Sequence, residues 1–310
     1  MNKKILLITA LFVSFGSHAE ISKVSPVEKK IEEKIYTGEK NFLGRDYHLY
    51  KGKTLYVMSK PESLREFGYD GFLTTYKNGA YDSKSVYKCC DSFNSKYDEI
   101  AERSFKVVDV IDTIKKGAYK NEVYLELKET NNGEVVYFHY SPKYEHSFPF
   151  LTVEFYKKLR EKYIGMTIYP VHHTNTGHDI ETGEAISVSP GKPVNIADIA
   201  IDQKTHKLSF VAELGQKKYM IPYDIAVFDD AGKRFYTEKE FKEYRSKFGE
   251  NNWLSVLQRS PRKGMTKEMI RLIEGRPSRI SNSTISGGLD QWVYNDSYYY
   301  FKDGYFYGYN

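Results

Sequence analysis

Two adjacent cysteines, a cluster of histidines and many dispersed carboxylates are the residues through which this chain could do chemistry. Cys89 and Cys90 are its only cysteines, so no bridge can join distant parts of the chain. In an oxidising compartment three fates are open to them: an eight-membered vicinal ring, disulfides to other chains, or two free thiols. A strained ring is the more reducible kind of disulfide, which makes a redox contact conceivable. Catalytic thiol exchange normally uses a Cys-x-x-Cys at a helix start, and none occurs here. The bland alternative is a ring that stiffens a long loop. His172, His173, His178 and Asp179 carry the ligand types of a zinc site within a run of Thr, Asn and Gly. Neighbouring His172 and His173 would point apart in an extended chain, so a solvated polar loop is the expectation and no metal or other cofactor is assigned.

Nucleophilic catalysis finds no frame. There is no G-x-S-x-G elbow, no H-E-x-x-H, and no cysteine with a His and Asn partner set. Asp229-Asp230 and Glu32-Glu33 read as turns or solvated faces. Gly191-Lys192-Pro193 and Gly287-Gly288 lack the strand–turn–helix setting of a phosphate loop. The formal charge of +5, with Lys and Glu interspersed, offers no concentrated basic surface to nucleic acid. A non-enzymatic protein is therefore expected. A wall-modifying hydrolase stays as the alternative, because the two carboxylates of a glycosidase need not be visible in sequence.

The elements that would position these residues come as a repeat. Tyr50-Lys51-Gly52-Lys53-Thr54-Leu55-Tyr56 recurs as Tyr163-Ile164-Gly165-Met166-Thr167-Ile168-Tyr169, and Val107-Val108-Asp109-Val110 is answered by Ile196-Ala197-Asp198-Ile199. Strand pairs with turn signals follow in both, at Asn131-Asn132-Gly133 and at Leu214-Gly215-Gln216. Each copy then enters a helix after Phe150-Leu151-Thr152 or Phe235-Tyr236-Thr237. In the second helix Thr237 and Glu240 form a capping box, and Phe241, Tyr244 and Phe248 lie on one face. The interval after the first strand is about 24 residues longer in the first copy. That extra length, residues 61–104, reads as a surface loop and holds both cysteines.

Near the C-terminus, Thr266 is placed to cap a helix with the apolar stripe Met269, Ile270 and Ile273. Gly275 ends it, and Pro277 prevents its continuation. Trp292 and Tyr294 alternate with polar neighbours as in a half-buried strand, and Asp303-Gly304 marks a hairpin. In its order and spacing this segment resembles the SmpA/OmlA family, small outer-membrane lipoproteins that include the BamE component of the barrel-assembly machinery. The matching positions are Gly264, Met265, Thr266, Gly275, Pro277, Trp292 and Tyr294, with residues 251–258 as a first helix. The resemblance covers roughly one sixth of the chain. It implies a helix pair on a sheet used for protein contacts, with no catalytic residues to carry over. Members are usually lipid-anchored through a cysteine after the signal peptide, and this sequence has none there.

Residues 1–19 read as a secretory signal: Lys3 and Lys4, an apolar run over residues 5–15, then Ser17-His18-Ala19 before the cut. That run is too short to cross a bilayer, which takes about 20 residues, and no later segment is long or apolar enough to span. The expected product is a periplasmic or secreted chain with no transmembrane segment. Its fold class is α+β: a charged linker at 20–40, then two tandem SH3-like β-barrel units at 41–150 and 151–250, each followed by a helix. A BamE-like helix-pair and antiparallel-sheet domain closes the chain at 251–310. With 28 Tyr and 18 Phe the chain is rich in residues that suit half-buried strands. Tyr298, Tyr300, Tyr305 and Tyr307 are the candidate partner-binding surface. The expected role is a scaffold or adaptor for envelope proteins or cell-wall polymers, with a secreted enzyme inhibitor as a further alternative.

Overall fold

A computed structural model describes residues 34–113, 122–171, 175–223, 235–281 and 289–310. Residues 1–19, read from sequence as a signal, most of the 20–40 stretch, His172, His173, Asp229-Asp230 and Gly287-Gly288 lie outside the described residues. Everything from Tyr36 onward belongs to one compact unit. It is mixed α/β and built from curled antiparallel sheets. Among the described residues no helix is long and apolar enough to cross a membrane.

The first part holds β1 (Thr54–Val57), β2 (Phe72–Leu73), β3 (Cys89–Asp91), β4 (Asn94–Ser95), a single helical turn α1 (Tyr97–Ile100), β5 (Ser104–Thr113), β6 (Glu122–Glu129), β7 (Val135–Tyr140) and β8 (Phe150–Thr152). Six of these strands form a sheet in the order β2-β7-β6-β5-β1-β8. Next come α2 (Val153–Tyr163), β9 (Thr167–Pro170), β10 (Asn175–Asp179), β11 (Ala185–Ser187), β12 (Val194–Ile201), β13 (Leu208–Leu214), β14 (Lys217–Pro222), β15 (Phe235–Thr237) and α3 (Glu238–Phe248). Their sheet runs β11-β10-β14-β13-β12-β9-β15. The two orders are the same in kind. The first strand of each, β1 or β9, lies between the opening strand of a three-stranded meander, β5 or β12, and the last strand, β8 or β15, and a strand from the interval after the first, β2 or β10, pairs on the far side of that meander.

The repeat is visible atom by atom. Gly52 and Gly165 both sit at φ +79°, a conformation that favours glycine. Gly52 N donates to Val107 O (2.8 Å), and Gly165 N donates to Ile196 O (2.8 Å). In return Val107 N donates to Lys53 O, and Ile196 N to Met166 O. One residue beyond each contact the ladder slips, at Val107/Asp109 in β5 and at Ile196/Asp198 in β12. A bulge bends its strand and strengthens the local twist, so the same motif curls both sheets at the same place. Thr152 and Thr237 then start their helices in the same way, accepting from the amides of Phe155 and Glu240, and the capping box at Thr237 is complete.

The third part carries α4 (Glu250–Leu257), α5 (Lys267–Glu274), β16 (Arg279–Ser281), β17 (Leu289–Tyr294), β18 (Ser297–Lys302) and β19 (Tyr305–Tyr309), the four strands pairing in sequence. Three apolar clusters correspond to the three parts, and each helix that ends a repeat belongs to the cluster of the part that follows. Leu151, Phe155 and Leu159 pack with Ile196, Phe210 and Ile221 of the second sheet. Phe241, Tyr244 and Phe248 pack with Trp253, Met269 and Trp292 of the third.

Two expectations change. Residues 61–104 do not form a surface loop, because Tyr69, Phe72, Tyr87, Tyr97 and Ile100 enter the first core. Phe72 pairs with Phe138 at the sheet edge, their rings 5.2 Å apart. Tyr69 stacks on Tyr97 (5.8 Å, 13°), with Lys60 over one ring and Arg65 over the other. The folded unit also begins inside the stretch taken as a linker: the Tyr36 hydroxyl meets Thr152 Oγ1 at 2.6 Å, and Asn41 exchanges two hydrogen bonds with the backbone of β8.

Burial raises the tyrosines most involved in these cores, Tyr50, Tyr69, Tyr140 and Tyr236, and pushes Tyr223 up to about 12. A phenol whose folded pKa lies above its unfolded value of about 10 adds stability that is full below pH 10 and is lost as pH rises toward the folded value. Alkaline titration should therefore show the late fraction of tyrosinate absorbance appearing together with loss of the β-sheet circular dichroism. Complete tyrosine ionisation with unchanged dichroism would contradict this packing.

Candidate functional site

The C-terminal sheet acquires its two faces from its register. Gly264, at φ +86°, lets residues 264–265 run along β19: Gly264 N donates to Phe306 O (2.9 Å) and Phe306 N to Met265 O (2.7 Å). This contact covers the outer edge of β19 and drives Met265 into the core. Thr266 accepts from Met269 N and starts α5, and Gly275, at φ +81°, ends it. Pro277 is followed at once by Ser278 N donating to Val293 O, which launches β16. Arg271 lies 4.8 Å over the Trp292 ring, and the Tyr294 hydroxyl donates to Gly275 O at the helix end. All seven motif positions thus shape one helix-on-sheet contact.

Trp292, Tyr299, Phe301 and Phe306 join Met269, Ile270 and Ile273 in that contact. Strand alternation sends Tyr298, Tyr300 and Lys302 to the opposite face. Across from them, Tyr300 pairs with Gln291 and Lys302 with Tyr305. Tyr300 faces Gly308 while Phe301 faces Phe306, so Tyr307 is the extra residue of a bulge and also stays outside. Tyr305 and Tyr307 are 54% and 53% exposed, and Lys263 Nζ lies 5.0 Å from the Tyr307 ring. Tyr309, exposed as well, pairs with and stacks on Tyr299 at 5.3 Å and so lies on the helix side of the sheet.

Residues 61–104 present a second surface. A cavity of about 210 Å³ opens there between β2, the turn at residues 80–86 and β4. Its floor includes Phe72, Leu73 and Val86; Asp70, Asp82 and Asn94 supply polar groups. At its mouth Tyr81 and Phe93 are 90% and 84% exposed. Leu64 and Phe67, three residues apart on a 3-10 turn, are also exposed, and Asn94 Nδ2 donates to Phe67 O at 2.9 Å. Periodicity could not reveal this surface, since its residues fall in short irregular pieces.

Cys89 and Cys90 are joined as a vicinal disulfide, both exposed, at the start of the β3–β4 hairpin. Neither lines the cavity.

Of the candidate ligands, His178 and Asp179 are described, and each has a partner in a turn of the second sheet. His178 is buried with Nε2 3.3 Å from Asp202 Oδ1, while Asp179 Oδ1 accepts from the amides of Glu181 (2.9 Å) and Thr182 (3.0 Å). Those amide bonds, the one from Thr182 foremost, hold the Asp179 carboxyl below the ordinary range. Among the described residues no group of three His, Cys, Asp or Glu could hold a metal. Glu129 and Asp202 do the same work in their own turns, accepting from the amides of Asn131 and Asn132 and from that of Lys204. One contact the sequence does not show is Ser59 Oγ to His206 Nδ1 at 2.7 Å, but Asp202 is turned to His178 and completes no triad with that pair.

Comparison of the chain with family models, with curated proteins and with solved structures gives no match. The adjacency of the only two cysteines makes a direct prediction: denatured, unreduced protein should take up no alkylating reagent, and reduction should free two thiols in the same peptide. Two alkylated cysteines without reductant would contradict the ring.

Proposed function

We propose that this chain is an exported, non-enzymatic protein of the cell envelope that holds a protein partner on the tyrosine face of its C-terminal sheet. The observation that carries the reading is the division of that sheet. One face packs on α5, and the other offers Tyr298, Tyr300, Tyr305 and Tyr307 beside Lys302 and Lys263. Tyrosine brings large contact area at a small entropic cost, and exposed aromatic clusters of this kind mark association surfaces.

The helix pair over a four-stranded sheet supports the BamE-like reading of residues 251–310. The shared strand order of the first two sheets, with last strand beside first and a bulge at the same step, supports reading them as SH3-like half-barrels. The signal-like residues 1–19 support export. Holding is favoured over turnover because Glu129, Asp179 and Asp202 spend their carboxylate oxygens on backbone amides of their own turns.

The test is cross-linking in envelope extracts with the wild-type chain and with Tyr305→Ala plus Tyr307→Ala. Both side chains are half exposed, so the melting temperature should hold, while capture of the principal partner falls at least tenfold, as truncation of interface tyrosines typically gives by costing about 2 kcal/mol or more. An unchanged set of captured proteins, or hydrolysis of wall material by the purified chain, would refute the proposal.

A further inference from the structure

We infer that the cavity within residues 61–104 is a binding subsite for one uncharged sugar ring of a glycan. This site is separate from the tyrosine face and goes beyond the protein-holding role proposed for it.

Size sets the first limit. At about 210 Å³ the cavity falls below the roughly 300–1,000 Å³ of sites that engulf drug-sized ligands, so it admits a single ring or side chain. Charge sets the second. The ionisable groups lining it are Asp70, Asp82 and the phenols of Tyr69 and Tyr81; no Lys, Arg or His is among them, which leaves a phosphate or carboxylate ligand without a counter-charge. A cationic ligand is disfavoured at Asp82, whose carboxylate already accepts from Ser85 Oγ, Asn78 Nδ2 and the Lys84 amide. What remains is a neutral ligand that donates hydrogen bonds.

The polar groups are held in place before any ligand arrives. Asp82 accepts from Ser85 Oγ (2.7 Å), Asn78 Nδ2 (2.9 Å) and Lys84 N (3.2 Å), and these bonds, led by that from Ser85, keep its carboxyl below the ordinary range. Asn94 is anchored through its amide to Phe67 O. Carboxylate oxygens so fixed still have lone pairs for hydroxyl donors. The apolar requirement is met at the mouth. Tyr81 makes one edge contact with His139 (6.0 Å, 70°) and, like Phe93, keeps nearly all of its ring in solvent. Two open aromatic rings beside fixed acceptors match a pyranose, whose C–H face packs on a ring while its hydroxyls donate at the rim.

Saturation-transfer NMR on the full chain, with chitotriose and maltotriose as probes, tests the assignment. At least one saccharide should receive saturation with a Kd on the order of 1 mM. Tyr81→Ala and Phe93→Ala, both at exposed positions, should each weaken it at least tenfold with the melting temperature unchanged, and Asp82→Asn should weaken it too. The Tyr305→Ala plus Tyr307→Ala chain should bind the saccharide as wild type does, which separates this subsite from the protein-holding face. Transfer to neither saccharide, equal transfer in the Tyr81 and Phe93 variants, or displacement of the saccharide by trilysine would overturn the proposal.

Discussion

The constraint on which the rest of this structure depends is that each repeat ends in a helix whose apolar stripe is completed by the part that follows it. Phe155 and Leu159 of α2, with Leu151 of β8 just before it, are buried in the second core, and Phe241, Tyr244 and Phe248 gather around Trp253 in the third. Fully burying a side chain of this size is worth about 1.5–3 kcal/mol, so each bracket contributes several kcal/mol against a domain stability of about 5–15 kcal/mol. Three cores therefore behave as one compact unit from Tyr36 onward.

This arrangement gives several acidic side chains a structural task. Hairpin turns in curled sheets need acceptors for their free amides, and Glu129, Asp179 and Asp202 supply them. The turn of Asp202 reaches across to the turn after Asp179, where Lys204 Nζ donates to Gly183 O (2.7 Å) and His178 meets Asp202. Groups that look catalytic as a list are thus closing a curled sheet. Among the described residues, packing leaves open the outer tyrosines of the last sheet and the rim of Tyr81 and Phe93 over the cavity within residues 61–104.

What could be read from sequence were the features governed by local conformation. The Gly52 and Gly165 turns, the Asp109 and Asp198 steps, the capping box at Thr237 and the helix from Thr266 to Gly275 each depend on a few neighbouring residues, and each pattern announces its geometry. What could not be read depends on partners far along the chain. Tyr36 is held by Thr152, 116 residues away, and β2 by Phe138 of β7. An amphipathic stripe likewise does not say which sheet will cover it, so the packing of each closing helix on the next part is known only from the fold. The cavity within residues 61–104 is hidden for another reason: its walls come from three short irregular pieces between residues 69 and 95, which carry no periodic pattern.

Hydrogen exchange on Leu159→Ala tests the bracket most directly, because Leu159 sits on α2 between the two sheets in sequence yet belongs to the second core. Truncating a buried leucine costs about 2–5 kcal/mol. Protection should fall across β12, β13 and β14 while β5, β6 and β7 keep theirs. Loss of protection in β5 to β7 with the second sheet unchanged would mean that the helix closes its own repeat, and the coupling described here would be wrong.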